Sequence, residues 1–101
     1  MSKPVLWFKR HFFDNDCHVL SKTEGAALAT FLKELRQTKA YDSAFLGTCE
    51  SKKGIYAYQF CTGYAVYWRF ELEAMSAPSI TRVPGIKRIR ILKVKQTTLF
   101  P

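Results

Sequence analysis

Four residues of one stretch, Tyr56, Tyr58, Tyr67 and Arg69, have the side chains that hold a single-stranded nucleic acid. Bases stack on rings of this kind, while guanidinium and ammonium groups hold the phosphates. More cations follow in Arg82, Lys87, Arg88, Arg90, Lys93 and Lys95, and no acid stands after Glu73. With sixteen Lys and Arg against eight Asp and Glu, the net charge is +8. Such a field attracts nucleic acid or a ribosome, an acidic protein, or an anionic membrane. The same tyrosines would also suit a face packed under a helix or against a second subunit, with their hydroxyls at the rim.

Phosphodiester cleavage needs charge stabilisation and proton transfer. Arg69, Lys93 and Lys95 are candidates for the first, and His11 is the candidate general base. No Ser-His-Asp set, Gly-rich phosphate loop or paired-carboxylate motif accompanies them. His11, Cys17, His18 and Cys49 match no zinc spacing, so neither a metal nor another cofactor is expected. Three cysteines leave one unpaired in any disulfide scheme, and none forms a Cys-x-x-Cys pair, which suits a reducing, cytoplasmic setting. The apolar run Val5-Leu6-Trp7-Phe8 stops at Lys9-Arg10-His11, too short for a signal peptide or a membrane span.

These residues need elements to place them. Val5 to Phe13 reads as a first strand ending at Asp14-Asn15-Asp16. Ser21-x-x-Glu24 is a capping box, and Leu28, Phe31, Leu32 and Leu35 recur at helical spacing, predicting a helix over about 21–38 with that stripe on the core. Tyr41 to Leu46 reads as a last turn or a second short helix, and Glu50 to Gly54 as an exposed loop. Ile55–Cys61 and Tyr64–Leu72 flank Thr62-Gly63 and predict a hairpin. In its simplest register Ile55, Ala57, Cys61, Val66, Trp68 and Phe70 face the core, and Tyr56, Tyr58, Phe60, Tyr67 and Arg69 lie opposite. Ile80–Val83 reads as a short strand, and Ile86–Val94 as a strand with each face part apolar and part cationic. The expectation is one α+β domain over residues 1–101, with one antiparallel or mixed sheet of four to five strands covered by one main helix.

The order of strand, helix, hairpin and basic terminal strand, with Thr62-Gly63-Tyr64-Ala65-Val66-Tyr67-Trp68-Arg69-Phe70 in the hairpin, resembles the RelE/ParE superfamily of small bacterial toxins. The resemblance implies a toxin-antitoxin setting and an acidic antitoxin-like partner. It also implies either ribosome-dependent cleavage of messenger RNA or inhibition of DNA gyrase. Ala65 stands where the ribonuclease branch usually has arginine after the Gly-Tyr. The late tyrosine position falls near Phe100, which donates no proton. In the tail at 96–101, Gln96-x-x-Leu99-Phe100 resembles the peptide with which bacterial replication proteins bind the sliding clamp. That role needs a free tail; the alternative folds Leu99 and Phe100 onto the core. Three functions stay open at this level: a non-catalytic nucleic-acid or ribonucleoprotein binder, an RNA endonuclease, and a protein that docks on replication machinery.

Overall fold

A computed structural model describes residues 4–72 and 85–97. It is an α+β fold with one five-stranded mixed sheet. The strands are β1 (Val5–Phe8), β2 (Glu50–Lys52), β3 (Ile55–Cys61), β4 (Tyr64–Leu72) and β5 (Ile86–Gln96), and the helices are α1 (Lys22–Gln37) and α2 (Ser43–Thr48). The sheet order is β1-β5-β4-β3-β2. Among the described residues, only the β1–β5 pair is parallel. No helix among the described residues is long and apolar enough to cross a membrane.

Helix α1 starts where its cap dictates. The Ser21 backbone N–H donates to Glu24 Oε1 at 2.8 Å, and the Glu24 N–H donates to Ser21 Oγ at 3.2 Å. Its stripe Leu28, Phe31, Leu32 and Leu35 is buried against Val66, Trp68, Ile89 and Ile91, as the spacing predicts. A turn of 3-10 helix at Lys39–Tyr41 then leads to α2, whose first N–H groups are met by Asp42: Ala44 and Phe45 both donate to its Oδ1.

Two expected elements change. The first strand ends at Phe8, because His11 takes a left-handed conformation (φ 62°) and the chain enters a single π-helical turn at Phe12–Asp16. That turn buries Phe12, and Asp16 Oδ2 accepts from the Val94 N–H at 3.2 Å, beyond the end of β1. The expected loop at 50–54 is instead β2 and its turn, with Lys53 (φ 53°) and Gly54 (φ 79°) in the left-handed region. β2 is polar because it is an exposed edge strand.

The largest change is in register. Cys61 pairs with Tyr64 as expected, but the ladder then breaks between Gln59 and Cys61, so Tyr58 opposes Val66 and Tyr56 opposes Trp68. One extra residue reverses every β3 side chain beyond it. Tyr56 and Tyr58 therefore lie on the helix-covered face with Val66, Trp68 and Phe70. Ile55 and Ala57 join Tyr67 and Arg69 on the opposite face. Ile80–Val83 lies outside the described residues.

Candidate nucleic-acid interface

Strand β5 decides the character of the face that the helices leave uncovered. Strict alternation would divide its cations between both faces. Its pairing with β4 breaks twice, however, leaving Lys87 and Leu92 without opposite partners. Ile89 faces Phe70, Ile91 faces Trp68 and Val94 faces Val66 on the covered side. Arg88, Arg90, Lys93 and Lys95 align with Glu71, Arg69, Tyr67 and Ala65 on the open side. The two irregularities thus convert a mixed strand into one apolar face and one cationic face.

Reading across the ladders, the open face is built in transverse rows. One runs Trp7, Arg90, Arg69, Ile55 and Lys52. The next runs Lys93, Tyr67, Ala57 and Glu50. The Arg90 guanidinium carbon lies 4.3 Å from the centre of the Trp7 ring, and Lys93 Nζ lies 5.0 Å from that of Tyr67. Trp7 is 47% exposed. Glu71 reaches Arg88 at 3.6 Å and Arg90 at 3.5 Å, placing its carboxylate between the two guanidinium groups. Beyond Tyr67 the surface sinks into a depression of about 530 Å³ whose rim carries Lys9, Lys52, Lys53 and Lys93.

The proposed platform therefore changes membership. Tyr67, Arg69, Arg88, Arg90, Lys93 and Lys95 share the open face. Tyr56 and Tyr58 do not: Tyr56 stacks on Trp68 (centroids 5.8 Å apart) and Tyr58 on Phe31 (4.6 Å). They are core-flanking rings, the packed alternative that the sequence left open. Lys87 is exposed at a register break, and Arg82 lies outside the described residues. Trp7 is the exposed ring on this face that sequence reasoning missed. The signal was the alternation in Val5-Leu6-Trp7-Phe8, where Leu6 and Phe8 pack on the core and Val5 and Trp7 do not.

Of the catalytic candidates, Arg69, Lys93 and Lys95 share the face of Tyr67, with Lys93 directly opposite it, whereas His11 sits in the turn after β1 with Asp14 Oδ2 3.7 Å from its Nδ1. No group of three or more metal-binding side chains forms among the described residues. Gln96 belongs to β5 opposite Tyr64, and the Thr97 N–H donates to Gly63 O at 2.8 Å, so the backbone is tied to the hairpin turn through Thr97. Leu99 and Phe100 lie outside the described residues. Set against protein families, curated proteins and solved structures, the chain matches none.

Proposed function

We propose that this protein binds single-stranded nucleic acid, free or within a ribonucleoprotein, on the open face of its sheet. The observation that carries the reading is the sorting of β5 by its two irregularities. They align Arg88, Arg90, Lys93 and Lys95 on the face that also bears Trp7 and Tyr67. Bases stack on the two rings, and the cations beside them hold the phosphates. The ladder puts Trp7 and Tyr67 two strands and about two residues apart, roughly 12 Å at the backbone. Bases reaching both rings cannot stay stacked on each other as neighbours, which favours an extended single strand over a duplex.

Anisotropy titration of a labelled single strand tests this. Trp7→Ala and Tyr67→Ala should each weaken binding by about 1 to 3 kcal/mol with thermal stability unchanged. Equal affinity in the parent and both variants refutes the stacking role. RNA cleavage is the second reading, favoured by the placement of Arg69, Lys93 and Lys95 on the face that carries Tyr67, with Lys93 directly opposite its ring. The separate placement of His11 sets binding ahead of it. Cleavage of bound RNA by the purified chain, abolished in Arg69→Ala, would reverse that order.

A further inference from the structure

Among the described residues, Glu71 and Glu50 bring carboxylates to the open face, and they are placed differently. Glu71 lies between Arg88 and Arg90. Glu50 has no such setting: it closes the row Lys93, Tyr67, Ala57 and Glu50, at the edge of the depression. A carboxylate on a surface that attracts phosphate opposes binding unless a donor meets it. The donors that a nucleic acid offers are base amino groups and, in RNA, the 2′-hydroxyl.

The row explains the depression. Ala57 presents only a methyl group between Tyr67 and Glu50, which stand two strands apart, roughly 10 Å at the backbone. The floor is apolar, formed by Ile55, Ala57 and Leu92, while the rim is cationic. Its volume of about 530 Å³ is within the usual range of small-molecule sites. An apolar floor, a ring at one side, lysines above and a single acceptor at the far side together match a planar base attached to a phosphate chain.

We infer that this depression takes one unpaired base bearing an exocyclic amino group, cytosine above all, and that Glu50 accepts that amino proton. The inference rests on the binding function proposed above and assigns its base preference. Stacking alone tolerates any base. A carboxylate accepts from the cytosine N4 amine, whereas uracil presents its O4 carbonyl at that position and repels it.

Affinities of short oligo-C and oligo-U, in ribose and deoxyribose forms, compared at one salt concentration, test the assignment. Oligo-C should bind roughly tenfold more tightly than oligo-U in both sugar series, the effect of one hydrogen bond to a charged acceptor. Glu50→Gln, on an exposed edge strand, should bring that ratio close to one, since an amide can donate to O4 as well as accept from N4. Using the ratio removes the general gain in affinity expected from deleting a negative charge. Equal, saturable, salt-sensitive binding of both homopolymers overturns the base assignment and leaves the open-face reading standing. If Glu50→Gln changes the ribose-to-deoxyribose ratio but not the C-to-U ratio, Glu50 reads the sugar and the assignment falls. If neither homopolymer binds, the underlying function falls and the base preference with it.

Discussion

At the scale of single residues, the two tyrosine environments separate packing from binding. Tyr58 stacks on Phe31 and neighbours Phe45, with Lys39 Nζ 5.6 Å from its centroid. Tyr58→Ala should therefore cost about 2 kcal/mol or more in unfolding free energy, below the loss for a fully buried ring. Unchanged thermal stability would remove Tyr58 from the core. Glu71 gives a change of opposite sign. Glu71→Gln withdraws the carboxylate beside Arg88 and Arg90 and should tighten single-strand binding and steepen its salt dependence. Weaker binding in that variant would mean that Glu71 positions the guanidinium groups instead of competing with phosphate for them. The three thiols are unpaired, and burial raises all of their pKa values: Asp16 adds to this at Cys17 and Glu24 at Cys61, whereas Lys39 opposes it at Cys49. Folding thus favours the protonated thiols. That contribution to stability is complete below the ordinary thiol range and disappears as pH rises through the raised values. Thiol alkylation at neutral pH should accordingly be slower in the folded chain than in denaturant.

At the scale of elements, helix α1 was legible because its signals are local: a capping box and a four-residue stripe within one turn-and-a-half of one another. Leu32→Ala should cost about 2 to 5 kcal/mol, measured by denaturant unfolding. The Thr62-Gly63 turn was legible for the same reason, since Gly63 occupies the left-handed region (φ 95°). The faces of β3 and β5 were not. Their irregularities fall near Phe60, Lys87 and Leu92, and none of these is a glycine that would mark one. The positions are selected by which alternation buries Ile89, Ile91 and Val94 together, a choice made only once β5 has neighbours. β1 was read too long because Phe12 is apolar and buried, although it belongs to the following turn. Deleting Leu92 tests the account of β5. With the extra residue gone, strict alternation from Ile91 keeps Lys93 opposite Tyr67 and Val94 opposite Val66, so both faces are preserved and the chain should still fold, as read by denaturant unfolding. A deletion that abolishes folding would contradict the role given to the bulge.

At the scale of the whole molecule, the sheet divides the work: the helix-covered face supplies stability and the open face presents charge and rings. An excess of +8 would favour polyanions wherever it lay. The ladder gives that excess a location. Affinity for a single strand should fall log-linearly with salt, and Lys93→Ala should lower the slope by about 0.7, the share of one phosphate contact. An unchanged slope would place the phosphates elsewhere. The chain's two tryptophans allow the most direct test, because Trp7 lies on the open face and is 47% exposed, whereas Trp68 is fully buried beneath α1. The measurement is the pair of indole N–H resonances during titration with a short single-stranded oligonucleotide at low salt. The Trp7 signal should move and saturate with the bound fraction while the Trp68 signal stays in place. If neither signal moves when a saturating excess has been added, or if the shifts fall on the backbone of α1 with Trp7 unmoved, the open sheet face is not where this protein binds nucleic acid.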